Sequence, residues 1–279
     1  MLWDYFWLCV SAAVAGAVNA LAGGGTLLTF PTLIGVLTPQ FGLAAGVRAN
    51  GTSTVALVPA SLGSAWGFRR ELYHLRRLII WLLPPSLIGA FLGALLVTRL
   101  NPVYFDRLVP WLILGAAVLF TIQPLLMRRK KLAPIIDGAQ AAPLPTSDLS
   151  DALTHIPARS LAGMMALQLA IAIYGGYFGA GIGILMLSGL GLMGLKNIHE
   201  MNGLKAVLGT AINAAAVIVF VYDSKVVWPF ALAMMVTSTA GGYLAAHYGR
   251  RLPGKYVRWF VIFMGFGLAS YYFWKRYGV

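Results

Sequence analysis

Charge is what this sequence has least of. Asp, Glu, Lys and Arg make up 10% of its 279 residues, against roughly 25% in a soluble domain. So few charges cannot coat a globule in water, and a soluble enzyme is excluded. Acid is scarcer still, with eight Asp and Glu residues mostly in loops or at segment ends. That leaves no carboxylate pair for hydrolysis and no nucleophile–base–acid constellation. The single cysteine, Cys9, rules out an internal disulfide or a thiolate metal cluster. His74, His155 and His247 are scattered without metal-ligand spacing. No metal, cofactor or prosthetic group is expected. The start, Met1-Leu2-Trp3-Asp4-Tyr5, has no basic stretch ahead of its apolar run, so a cleaved signal peptide is not expected.

What is abundant is apolar. Hydrophobic residues make up 59% of the chain, and the mean hydropathy is +0.78. They fall in runs without strict alternation, which in lipid predicts helices over barrel strands. The sequence therefore predicts an all-α integral membrane protein with about ten apolar segments. These lie near residues 3–21, 26–37, 48–66, 78–97, 108–126, 158–177, 182–195, 201–222, 227–247 and 257–274. The segments starting at 26 and 182 are short, and each follows a Gly-rich break. The formal charge of +13 does not signal nucleic acid, because the basic residues sit in short loops beside apolar runs.

The second half repeats the first. Asn50-Gly51 matches Asn202-Gly203 at a shift of about 152 residues, and the same shift carries Gly89 to Gly241, Arg99-Leu100 to Arg251-Leu252, Tyr104 to Tyr256 and Gly115 to Gly267. The break Gly23-Gly24-Gly25 corresponds to Gly179-Ala180-Gly181 after a short gap. The chain divides into a first repeat (1–127), a cytoplasmic linker (128–157) and a second repeat (158–279). Arg69, Arg70, Arg76 and Arg77, the run Arg128 to Lys131, and Arg250, Arg251, Lys255 and Arg258 all fall on one side if each repeat crosses five times. That side is the cytoplasm by the positive-inside rule, which places both termini in the periplasm. An odd number of crossings turns the second repeat over, giving inverted repeats.

Two features are candidates for chemistry. The first is the pair of breaks, where Gly23, Gly24, Gly25, Gly179 and Gly181 lead into short helices. Free amides at a positive helix end hold anions, and Thr26 adds a hydroxyl. The alternative is that these glycines only permit turns and close packing. A P-loop is excluded, because no Gly-Lys-Ser/Thr follows Gly25. The second feature is a pair of polar stripes. Asn50, Ser53, Ser61 and Ser64 share a face of one segment, and Asn202, Lys205 and Asn213 are their counterparts. Such groups line a cavity or hydrogen-bond between helices as packing glue. Lys205 is either an anion's counter-charge or a side chain snorkelling to headgroups. Gly89-x-x-x-Gly93 and Gly241-x-x-x-Ala245 are expected to be helix contacts.

These residues also carry a family resemblance. Asn19-Ala20-Leu21-Ala22-Gly23-Gly24-Gly25-Thr26 with Phe30-Pro31, and Ala49-Asn50-Gly51-Thr52-Ser53-Thr54, resemble the sulfite exporter TauE/SafE family. So do Gly175-Gly176-Tyr177-Phe178-Gly179-Ala180-Gly181 and Asn202-Gly203-Leu204-Lys205. One departure is Ala60, where the family pattern has Gly. The resemblance implies a multi-pass permease of the bacterial inner membrane for a small sulfur-containing anion, such as sulfite or an organosulfonate, and leaves the anion open. Combined with the stripes, it gives Gly23–Thr26, Asn50, Thr52, Ser53, Gly179, Gly181, Asn202, Lys205 and Asn213 as the substrate-binding set. Export by alternating access between the repeats is the leading expectation. Uptake of the same anion class, or an intramembrane enzyme or cofactor-assembly component, are the alternatives. The expected partners are this anion and the bilayer, and a homo-oligomer is compatible with the sequence.

Overall fold

The computed structural model describes residues 2–21, 23–67, 72–128, 158–193, 195, 197–248 and 254–278. Apart from Arg128, the linker expected at 128–157 lies outside them, as do Arg69, Arg70, Arg250 and Arg251.

Among the described residues there is no strand. The ten α-helices are α1 (Leu2–Leu21), α2 (Thr26–Phe41), α3 (Ala45–Gly67), α4 (Arg76–Arg99), α5 (Pro102–Arg128), α6 (Ala158–Tyr177), α7 (Ile182–Leu192), α8 (Ile198–Tyr222), α9 (Trp228–Tyr248) and α10 (Gly254–Tyr277). Backbone groups in lipid must be satisfied within the segment, which is why the apolar runs become helices. Five stretches are long and apolar enough to cross a membrane: Thr26–Gly67, Arg76–Arg99, Pro102–Ile122, Arg159–Tyr177 and Glu200–Tyr222. The α2 helix runs further than its apolar pattern, to 16 residues, because it continues through Pro31 and Pro39. The α7 helix is shorter than its pattern, at 11 residues.

Packing ignores the midpoint of the chain. Helix α4 packs most extensively on α6 and α8, while α9 packs on α1 and α3. A helix of each half of the sequence thus packs chiefly on helices of the other half. Glycine explains the close approach in both places. A methyl group on Gly89 would come within 2.6 Å of the Leu169 carbonyl oxygen, and one on Gly93 would collide with that of Ile173. In the related pair, Gly241 faces the Ala13 carbonyl and Gly16 faces that of Ser238. The small-residue pairs are helix contacts, as expected. Ala60 packs on the same pair, 3.4 Å from where a methyl on Gly242 would stand.

Two apolar cores result. One gathers Phe30, Phe105, Phe120, Phe178 and Phe220, with the Phe30 and Phe178 rings edge to face at 5.1 Å. The other joins α4, α6, α7 and α8 through Leu78, Leu82, Met164, Ile171, Leu187 and Leu208. Outside them, Trp3, Trp7, Trp66, Trp81, Trp228 and Trp274 are exposed near helix ends, where indole rings anchor at the headgroups.

Candidate functional site

The two Gly-rich breaks meet. A methyl built on Gly23 would lie 2.9 Å from the Gly183 Cα, although the two are far apart in sequence. Both breaks end their helices alike, with Gly23 and Gly179 at φ +75°. This left-handed conformation lets the chain close a helix end. The Gly23 amide donates to the Val18 and Asn19 carbonyls, each at 3.1 Å, and the Gly179 amide donates to the Tyr174 carbonyl at 3.2 Å. Those two amides are therefore spent on the preceding helices. The amides of Gly24, Gly25, Thr26, Ala180, Gly181 and Gly183 have no hydrogen-bond partner among the described residues. The Phe120 ring packs against both breaks, touching where side chains on Gly24 and Gly181 would stand. The Tyr174 hydroxyl donates to the Ala180 carbonyl at 2.6 Å and braces the second break.

Beside this junction lies a cavity of about 50 Å³, room for a few waters or a small oxyanion. The first half of the chain lines it with Asn19, Gly23, Ser61 and Ser64, and the second half with Gly183, Lys205, Thr210 and Asn213; Ile182 and Met186 make its apolar side. Lys205 is only 8% exposed and does not snorkel. It makes no ion pair or hydrogen bond among the described residues, and no Asp, Glu or His lines the cavity. A buried ammonium without a counter-ion is costly. Its position over a polar cavity is the site's dominant electrostatic feature.

The polar stripe of α3 is divided. Ser61 and Ser64 reach the cavity, and Asn19 donates to Ser61 Oγ at 3.1 Å. Asn50, Thr52 and Ser53 do not line it. Asn50 Nδ2 donates to the Tyr177 carbonyl at 2.8 Å. Thr52 Oγ1 accepts the Val227 amide at 3.0 Å, and Ser53 Oγ is 2.6 Å from Thr29 Oγ1. These three residues tie helices together. Asn202 is half-buried one turn before Lys205, outside the cavity wall, and Thr26 is half-buried at the start of α2. Gly24, Gly25, Gly179 and Gly181 shape the breaks without lining the cavity. Of the expected residues, Lys205, Asn213 and Gly23 line the same cavity. Asn19 and Thr210 were not among the expected contacts. Asn19 lies within the family-like run before the first break and Thr210 about one and a half turns beyond Lys205 on α8, and that placement was the available signal.

At the opposite end of α3 the two halves of the chain are latched together. Arg99 binds Asp223 through two hydrogen bonds of 3.1 and 3.2 Å. Arg48 Nη1 donates to the carbonyl of Ser224, a non-glycine residue at φ +52°. A hydrogen bond from Thr98, then the Arg99 partner, holds the Asp223 carboxyl below the ordinary carboxylate range.

Comparison with known proteins follows this geometry. The chain is 25% identical over 265 residues to a "Probable membrane transporter protein" of Haemophilus influenzae, covering 92% of this chain and 89% of that one. It is 23% identical over 267 residues to a "Probable membrane transporter protein ORF9" of a Sinorhizobium species, covering 94% and 89%. It is 25% identical over 248 residues to the "Probable membrane transporter protein YfcA" of Escherichia coli K12, covering 86% and 77%. No solved structure matches it significantly. The family "Sulfite exporter TauE/SafE" matches residues 8–272. With nearly its whole length inside that match, the chain belongs to the TauE/SafE family of membrane transporters.

Proposed function

We propose that this transporter exports a small sulfur-containing anion, such as sulfite or an organosulfonate, by alternating access between two inverted repeats. The carrying observation is Lys205, a buried cation without a counter-ion among the described residues, in a cavity lined from both halves of the chain. Asn213, Asn19 and the free amide of Gly183 at the positive end of α7 add donors. Gly24, Gly25, Thr26, Gly179 and Gly181 hold the breaks in shape, and Asn202 flanks Lys205 one turn earlier. Asn50, Thr52 and Ser53 act on the site through the ties that set the helix positions.

The exchange of α4 and α9 between the repeats supports the inverted arrangement, since related helices make related contacts. It also suggests what moves: α1–α3 with α9 against α6–α8 with α4. The Arg99–Asp223 latch would close one end while the cavity is reached from the other. In the proposed orientation both termini are periplasmic and the chain lies in the inner membrane. An anion leaving a cell that is negative inside gains about 2.3 kcal/mol per charge per 100 mV. Uptake would need a coupling cation, and no carboxylate lines the cavity to bind one.

Flux of radiolabelled sulfite or an alkanesulfonate from proteoliposomes tests this. Protein-dependent efflux that is lost in Lys205→Met supports it. Absence of efflux of both anions at every imposed potential would sink it.

A further inference from the structure

We propose that the cavity selects singly charged sulfur oxyanions and rejects doubly charged ones. This rests on the transport reading above and sharpens it to a substrate class.

One full positive charge lines it, that of Lys205, which is more than nine-tenths buried and has no partner among the described residues. The three hydroxyls in the wall do not add to it. Ser61 donates to the Leu57 carbonyl at 3.1 Å, Ser64 to Ala60 at 3.1 Å, and Thr210 to Ala206 at 2.7 Å. Their protons are spent within their own helices, which leaves them acceptor lone pairs that repel an anion. One Asn19 N–H is spent on Ser61. The donors left over are the Lys205 ammonium, the Asn213 amide, the second Asn19 N–H and the Gly183 backbone amide.

One charge and a few neutral N–H groups can neutralise and solvate a single negative charge. A second negative charge would enter a buried site without a counter-charge, and desolvation disfavours it strongly. The wall next to Ile182 and Met186 is apolar, so it suits a methyl or short alkyl group on sulfur and offers nothing to a fourth charged oxygen. Hydrogen sulfite and small alkanesulfonates meet both requirements. Sulfate, sulfite as the dianion and disulfonates do not.

Methanesulfonate and sulfate make the decisive pair, since they are close in shape and differ by one charge. Counterflow of radiolabelled methanesulfonate in proteoliposomes of the full chain, at one fixed neutral pH, is competed by each unlabelled anion. Sulfate is expected to compete roughly 100-fold more weakly than methanesulfonate, the size of an uncompensated buried charge after partial relaxation. Two variants check the count. Asn213→Asp cancels the cavity's charge with little change of shape and should abolish methanesulfonate counterflow. Ser64→Lys adds a charge at the wall and should narrow the gap between the two anions at least tenfold. Sulfate competing within about threefold of methanesulfonate in the unmodified protein, or an Asn213→Asp protein that still carries methanesulfonate, overturns the inference and leaves the transport reading standing. No counterflow of methanesulfonate together with no sulfite efflux overturns both.

Discussion

The first turns of α3 and α8 have related sequences and opposite fates. Asn50 corresponds to Asn202 and Ser53 to Lys205. On α3, Asn50 and Ser53 are fully buried and turned to other helices: Asn50 Nδ2 donates to the Tyr177 carbonyl while its Oδ1 has no partner among the described residues, and Ser53 pairs with Thr29. On α8, Asn202 has no hydrogen-bond partner among the described residues, and Lys205 faces the cavity without one. Further along, the counterparts Ser61 and Asn213 both reach the cavity. The two related stretches are therefore used differently, one as a tie bar and the other as a charged wall.

The sharpest break in that comparison is Lys205→Met. The variant is expected to lower anion flux about 100-fold, the loss of a charge-assisted contact. Its melting temperature should hold or rise, because a buried unpaired charge is gone. Flux and a thermal melt on the same preparation check both halves of that statement. A melt that falls with the flux would make Lys205 a structural residue.

Gly23→Ala comes next. The left-handed conformation costs a side chain about 1–2 kcal/mol, and the new methyl would press on Gly183. Flux should fall about tenfold together with a lower melt. Gly63→Ala, where nothing stands within 4 Å, should change neither.

The tie bar is tested by Asn50→Ala. Removing its hydrogen bond strands the Tyr177 carbonyl, and about 1–2 kcal/mol of stability should be lost, read as a lower melt with flux kept within a few-fold. Asn202→Ala should leave the melt unchanged. Equal losses in the two variants would erase the asymmetry.

The smallest effect belongs to the Arg99–Asp223 latch, whose arginine is 62% exposed. Arg99→Ala should cost about 0.2–1 kcal/mol, less at high salt. The folded Asp223 carboxyl titrates below its ordinary value of 3.8. Its contribution is therefore complete above that value and is lost as pH falls through the lower folded value. A melt series in acid should show this loss in the unmodified protein and not in Asp223→Asn.

Much of the architecture was legible in the residues. The apolar runs foretold most helices to within a few residues; the larger departures are α5, which starts at Pro102 and not near 108, α2, which continues through Pro39, and α7, which stops early at Leu192. Proline weakens a helix in a periodic pattern, yet helices in lipid tolerate it, and the pattern alone does not register that. The Gly89 and Gly241 contacts were legible because close backbone approach admits little else. The site was legible only in outline. The breaks, Lys205 and Asn213 stood out, but Asn50, Thr52 and Ser53 looked equally suited to a ligand.

By itself, the sequence determined that the chain lives in lipid, that it is helical, and that two glycine breaks interrupt it. Those properties follow from hydropathy and local backbone freedom, which act over a few neighbouring residues. Only the tertiary structure decided which polar groups remain available to a solute. Ser53 pairs with Thr29, the Thr52 hydroxyl accepts the Val227 amide and Asn50 donates to the Tyr177 carbonyl, all away from the cavity, whereas Lys205 faces it with no partner among the described residues. Whether a polar group is tied to a neighbouring helix or faces the cavity depends on residues brought near by folding.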